Sequence, residues 1–259
     1  MCHCLFQHST NIEAYLRAAE KISVFLDYDG TLVPFVPNPA EAQLDERARE
    51  TLARISSKRR VAVTIISGRS LADIHARINL EGLIYAGNHG LEICSGGMQF
   101  IEPMAAARKQ ELAQLSRRLA AELRGIEGAV VEYKGLTTTI HHRQAAVREI
   151  GRIEDAVRAA VALVAKSFRT ASSKMAIEVM PRTRWHKGKA AAWINQHLGG
   201  KPLSLFIGDD ETDEDAFRAL PDGITVRVGS CTDTAARYCL TDPSAVHEFL
   251  TWFANHVPA

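Results

Sequence analysis

A chain of 259 residues lies at the upper edge of what one hydrophobic core supports, so a principal domain carrying a second, smaller module is expected. Its 46% hydrophobic and 24% charged residues exclude a disordered or fibrous chain. With 31 Lys and Arg against 30 Asp and Glu the formal net charge is +1, so no global field draws the chain to nucleic acid or to a membrane, and any anion must be bound by local groups. Cysteines at 2, 4, 94, 231 and 239 have no disulfide-framework spacing. The opening residues lack a basic stretch followed by a long apolar run, and the longest apolar run, Ala159 to Ala165, is too short to span a bilayer. The expectation is a cytoplasmic protein and, as the simplest assembly, a monomer. Cys2, His3, Cys4 and His8 are too closely spaced, on a chain end, to form a zinc site.

In chain order, a short helix near Asn11 to Ala19 precedes a buried strand, Ile22 to Leu26. That strand ends in Asp27-Tyr28-Asp29-Gly30-Thr31. Side chains alternate on an extended chain, so Asp27 and Asp29 can face one pocket while Tyr28 points away. Two carboxylates at a strand end suit a divided task, one as nucleophile or metal ligand and the other as proton carrier. A calcium loop counted from Asp27 fails, because Thr31, Leu32 and Asn38 stand where an acid or amide, a glycine and a glutamate are required. Pro34, Pro37 and Pro39 predict an extended loop. Leu44, Ala48, Leu52 and Ile55 then fall at helical spacing.

Val61 to Ile66 is continuous and β-branched, as a parallel strand covered on both faces would be. It ends in Ser67-Gly68-Arg69-Ser70, where Ser67 is placed to donate to a phosphate oxygen at a helix start and Ser70 is an N-cap candidate. Leu83 to Ala86 is a short strand leading to Gly87-Asn88-His89-Gly90. A hairpin from Leu91 to Ile101 follows, and His89 either touches a ligand or caps that hairpin. From Met104 to Pro181 the pattern changes to helix, hairpin, helix and strand pair, a two-layer module of its own. Its hairpin places Glu132 and Lys134 on one face by alternation.

After Pro181 the α/β alternation resumes. Trp185 to Lys189 opens a helix, Leu203 to Ile207 is a strand, and the run Gly208 to Asp215 is crowded with carboxylates. Packed like charges repel unless a cation or solvent screens them, and hard oxygen ligands select magnesium or calcium over zinc or copper. A calcium loop fails here too, with Glu214 where glycine is needed. Strands at 224–228 and 238–240 and a helix at 243–253 close the chain. The expected fold is α/β, a doubly wound, Rossmann-like parallel-sheet core built from 1–103 and 182–259, with 104–181 inserted as an α/β cap. In such a sheet Asp27, Asp29, Ser67, Lys187, Asp209 and Asp213 converge beyond the strand ends. Acids for a cation, a lysine and a hydroxyl for anionic oxygens, and a spare carboxylate match phosphoryl transfer.

At these residues the chain resembles the haloacid dehalogenase superfamily of phosphatases, whose four motifs are matched in order by DYDGT, SGR, the lysine of HKGKA and GDDETD. The segments GNHG, VEYKGLTTTIHHR, IEVMPRTRWHKGKA and GDDETDEDAF are more closely similar to the trehalose-6-phosphate phosphatases. The resemblance implies a Mg2+-dependent phosphatase acting on a small-molecule sugar phosphate through an aspartyl phosphate, with Asp27 as nucleophile and Asp29 as acid and base. Magnesium would lie on the Asp27 carboxylate, the Asp29 carbonyl and Asp209, supported by Asp213 and Asp210, and Thr31, Ser67 and Lys187 would hold phosphoryl oxygens. Substrate contacts carried over by position are Asp27, Tyr28, Asp29, Arg69, Asn88 and His89 in the core, and Glu132, Lys134, Arg143 and Glu178 in the cap. One departure is His142, where family members often carry an aromatic residue. The alternatives are a related capped phosphatase for sucrose phosphate or another sugar phosphate, and a non-catalytic phospho-aspartate protein of the receiver type. The cap and the second aspartate argue against the latter.

Overall fold

The computed structural model describes residues 3–36, 39–173 and 175–258, so Cys2, Pro37 and Asn38 lie outside the described residues. In chain order the elements begin with β1 (His3–Cys4), α1 (Ser9–Ala18), β2 (Ile22–Leu26), α2 (Glu46–Ser56), β3 (Val61–Ile66), α3 (Leu71–Ile78), β4 (Ile84–Gly87), β5 (Glu92–Ser95) and β6 (Met98–Ile101). Next come α4 (Pro103–Ala107), α5 (Lys109–Glu122), β7 (Val130–Tyr133), β8 (Thr138–His141), α6 (Val147–Ala162), β9 (Phe168–Ser173) and β10 (Ala176–Pro181). The chain closes with α7 (Lys187–Leu198), β11 (Leu203–Gly208), α8 (Glu211–Ala219), β12 (Ile224–Val228), β13 (Tyr238–Leu240) and α9 (Pro243–His256).

The chain divides into two compact units, 1–100 with 185–259, and Ile101–Arg184. In the first, the sheet order is β1-β13-β12-β11-β2-β3-β4-β5-β6. The pairs from β1 through β4 are parallel, and β5 runs antiparallel to β4. From central β2 the chain steps one way through β3 and β4, and later the other way from β11 through β12 and β13. The end of β2 is therefore a topological switch point, where such sheets bind ligands. All five residues of β2 are buried because both faces are covered. Val24 and Leu26 pack with Leu52 of α2, Ile74 of α3 and Phe249 of α9. Phe25 packs on the opposite face with Ala191 of α7 and Phe217 of α8, in line with Phe206.

Helix starts follow local chemistry. Asp45 caps α2 by accepting from the Ala48 amide at 2.7 Å. Helix α8 begins at Glu211, inside the acidic run. Asp210 and Asp213 form a capping box that recruits the acidic run into the first turn. β1 was not legible in two exposed residues, His3 and Cys4, which pair with Tyr238 and Cys239 of β13.

The second unit is a four-stranded antiparallel sheet, β7-β8-β10-β9. Ile140, Ile177 and Val179 point from it into a core with Leu112, Leu115 and Leu119 of α5 and Ile153 and Val157 of α6. The unit begins three residues before Met104 and ends three after Pro181.

Candidate active site

β2 and β11 are neighbours, and each is followed by a buried aspartate, Asp27 and Asp209. Asp213, on the first turn of α8, is fully buried beside them. Oxygens of Asp27, Asp209 and Asp213 all lie within 4.8 Å of one another. Lys187 opens α7 and is only 2% exposed. Its Nζ donates to Asp27 Oδ1 at 2.8 Å and to Asp213 Oδ1 at 2.7 Å. Asp213 also accepts from the Asp210 amide through Oδ2 at 2.9 Å. Asp213 is thereby a strut, holding the lysine with one oxygen and the start of α8 with the other.

Three carboxylates and one ammonium leave this buried cluster with surplus negative charge. Burial pushes the Asp27 carboxyl well above the ordinary carboxylate range; Lys187 opposes that, while Asp213 and Asp209 push further. For Lys187 burial alone would favour loss of the proton, but Asp213 and Asp27 outweigh it and hold the ammonium above the ordinary lysine value. The donor set is all oxygen and short of positive charge, which fits a hard divalent cation.

Gly30 lets the chain turn past this cluster. Its φ is +87°, and a Cβ there would stand 2.3 Å from the Phe35 ring and 2.5 Å from Asp209 Oδ2. Gly30→Ala is expected to strain the backbone by about 1–2 kcal/mol and to push Asp209 out of register with Asp27. Calorimetric titration with magnesium checks it, with affinity expected to fall at least tenfold. Thr31 is buried and its hydroxyl faces Asp209 Oδ1 at 3.5 Å.

The Asp29 carboxylate lies outside the three-carboxylate cluster. Both of its oxygens accept from Arg69, from Nε and Nη2 at 2.7 Å each. Asp73 binds the same guanidinium at 2.9 Å. Burial would lower the Arg69 pKa, but Asp29 and Asp73 together raise it. The side chain of Tyr28 turns into the core. Its ring is fully buried beneath the Arg69 guanidinium at 5.4 Å, and its hydroxyl donates to the Ala42 carbonyl at 3.0 Å. Strand alternation turns this side chain into the core, so it supports Arg69 from below.

Ser67 ends β3 with its hydroxyl buried and accepting from the Arg69 amide at 3.2 Å. Ser70 caps α3 through the Asp73 amide at 3.2 Å, and Glu92 accepts from the Leu71 amide at 2.8 Å. Two first-turn amides of α3 are thus engaged by protein oxygens. Asn88 and His89 both have left-handed backbone, φ 48° and 59°. The Asn88 amide donates to the Arg69 carbonyl at 2.7 Å and the His89 amide to the Ser67 carbonyl at 2.8 Å.

In the second unit Glu132, Thr139 and Glu178 stand in register across β7, β8 and β10. They share the face opposite the unit's apolar core. Glu178 is buried, and Glu132 accepts or shares a proton with His141 Nε2 at 2.7 Å. Lys134 sits at the β7–β8 turn, its amide bonded to the Thr137 carbonyl at 2.9 Å, and Arg143 lies two residues past the end of β8. Sequence reasoning missed Asp73 and Glu92. The i, i+4 spacing of Arg69 and Asp73 is a readable signal. Glu92 carries none, because its partners are set by tertiary structure.

The chain matches the family model described as trehalose-phosphatase over residues 25–244. Trehalose-phosphate phosphatases of Mycobacterium tuberculosis (strain ATCC 25618 / H37Rv) and Mycobacterium bovis (strain BCG / Pasteur 1173P2) are each 37% identical to it over 249 residues, covering 92% of this chain. The chain spans 63% of the length of these curated relatives. Among solved structures, the C-terminal domain of the C. albicans trehalose-6-phosphate phosphatase has the same fold, with a TM-score of 0.83, 22% identity and full coverage of both chains. Aspergillus fumigatus trehalose-6-phosphate phosphatase aligns with a TM-score of 0.67 and 27% identity over 98% of this chain and 99% of that one. Running from Phe25 inside β2 to Ser244 in α9, the family match takes in every element that carries the acidic cluster, and this chain belongs to the trehalose-phosphatase family.

Proposed function

We propose that the chain is a magnesium-dependent phosphatase that hydrolyses trehalose 6-phosphate to trehalose and phosphate. The observation that carries this reading is the Lys187 ammonium fixed between Asp27 and Asp213 inside an all-oxygen acidic cluster at the switch point of the sheet. In the first step the Asp27 carboxylate forms a bond to phosphorus as the bond to the sugar oxygen breaks, and Asp29 gives that oxygen a proton. In the second, Asp29 takes a proton from water, the water oxygen bonds to phosphorus and the Asp27–phosphorus bond breaks. Asp29 is bonded to Arg69 through both oxygens, so to reach the sugar it turns away from at least one of them. Lys187, Thr31 and Ser67 bind the phosphoryl oxygens. Asp27, the Asp29 carbonyl and Asp209, braced by Asp213, would hold a magnesium ion, which would supply positive charge to the phosphoryl group and to the crowded carboxylates.

The Ile101–Arg184 unit is proposed as the substrate-recognition cap. Its polar sheet face, with Glu132, Lys134, Arg143 and Glu178, offers the paired acids and bases that sugar hydroxyls need. Arg69, Asn88 and His89 are the core's own substrate contacts. The setting in this reading is the cytoplasm, the working form a monomer, and nucleic acid and membrane are not partners. No helix among the described residues is long and apolar enough to cross a membrane.

The test is phosphate release from trehalose 6-phosphate, sucrose 6-phosphate and glucose 6-phosphate. Trehalose 6-phosphate is expected to be turned over at least tenfold faster than the others, and chelation with EDTA should remove activity that added magnesium restores. Equal turnover of glucose 6-phosphate would remove the disaccharide from the proposal, and metal-independent release would remove the magnesium.

A further inference from the structure

Glu92 takes no part in the chemistry just described, yet two segments of the site meet on one of its oxygens. It opens β5, directly opposite Gly87 in the antiparallel ladder with β4. Its Oε1 accepts from the Leu71 amide at 2.8 Å and from Asn88 Nδ2 at 2.6 Å. The first bond pins the start of α3, just past Ser67 and Arg69. The second holds the side chain of Asn88 while that residue and His89 keep left-handed backbone, a conformation costly enough to need outside support. Main-chain bonds complete the clasp: the Asn88 amide to the Arg69 carbonyl, the His89 amide to the Ser67 carbonyl and the Ser67 amide to the Ala86 carbonyl. A Cβ on Gly87 would stand 2.3 Å from the Leu71 nitrogen, so the two loops are already at contact distance and have one relative placement.

We propose that Glu92 is a positioning residue for phosphate handling. By tying the 87–90 loop to the first turn of α3 through a single oxygen, it sets where Ser67 presents its hydroxyl and where Arg69 presents its guanidinium to Asp29. The inference rests on the phosphatase reading, and its claim is geometric. The reach of the Glu92 acceptor, and not its charge, is what the site uses.

Three variants separate those terms. Glu92→Gln keeps an acceptor at the same reach and discards the charge. Glu92→Asp keeps the charge and withdraws the acceptor by one methylene. Glu92→Ala discards both. With trehalose 6-phosphate as substrate and magnesium present, E92Q is expected within about threefold of the wild type. E92D and E92A should both lose about 10- to 100-fold in kcat/KM, the cost of roughly ångström-scale misplacement of catalytic groups, with kcat falling as well as KM rising. Melting temperatures taken alongside identify any variant that is simply unfolded, and the Gln and Asp pair decides the matter even if the alanine variant fails to fold. The opposite order, with E92D active and E92Q impaired, would overturn the inference in favour of charge. So would three variants that melt earlier but keep wild-type kcat and KM, since that is a purely structural role. A wild-type protein that releases no phosphate would instead overturn the functional reading on which the inference rests.

Discussion

Asp27→Asn is expected to abolish phosphate release, lowering turnover by about 10⁵-fold or more, because an amide cannot form the phosphoryl bond. The fold should persist. Burial pushes this carboxyl well above the ordinary carboxylate range and Asp213 and Asp209 push it further, so an uncharged side chain of the same shape relieves like-charge crowding in the cluster. The Lys187 ammonium keeps Asp213 as a partner at 2.7 Å. The melting temperature is therefore expected to stay level or rise slightly while activity vanishes. Steady-state phosphate release and a thermal melt on the same preparation check both halves, and retained turnover would remove Asp27 from the nucleophile's place.

Lys187→Met is expected to be costly in a different way. It leaves Asp27, Asp209 and Asp213 buried with no ammonium among them, and breaking a buried pair from one side costs about 3–5 kcal/mol. For a unit of this size that is about 10 °C in melting temperature. On the proposed reading, in which this ammonium binds a phosphoryl oxygen, turnover should fall by at least about 10³-fold. Added magnesium should recover part of the stability and none of the turnover, because a cation can offset the carboxylates but cannot take the lysine's place between Asp27 and Asp213. Calorimetry with and without magnesium separates the two effects. A variant that melts with the wild type would mean that the ion pair does not brace the cluster.

What could be read from the sequence follows physical locality. Strand β2 was legible because a short, mainly apolar run leading into two aspartates has few other uses, and β3 because its β-branched run needs cover on both faces. Asp27, Asp209 and Lys187 were legible as a set because parallel strands deliver their C-terminal ends to one edge of the sheet. The boundary of α8 was not, since an acidic first turn carries no apolar period and only the Asp210–Asp213 capping box places its start. The direction of the Tyr28 side chain was also legible. Alternation alone sends it inward, and its bond to Ala42 agrees. The paired hydrogen bonds from Arg69 to Asp29 join residues 40 apart in sequence, and nothing local announces them.

The bond from the Thr183 hydroxyl to Glu102 Oε1, 3.0 Å across a sequence separation of 81, brings the two ends of the inserted unit together. Its consequence concerns the route to the folded state. β2 and β11 pair directly, though most of the chain lies between them, and joining such distant strands is entropically slow. An insertion whose own contacts run from Ile101 to Arg184 can fold by itself and, once its ends are clasped, behaves as a short bridge between β6 and α7. The strands that carry Asp27 and Asp209 then search over a much shorter effective loop. Early folding of the insertion is therefore expected to speed the assembly of the acidic cluster.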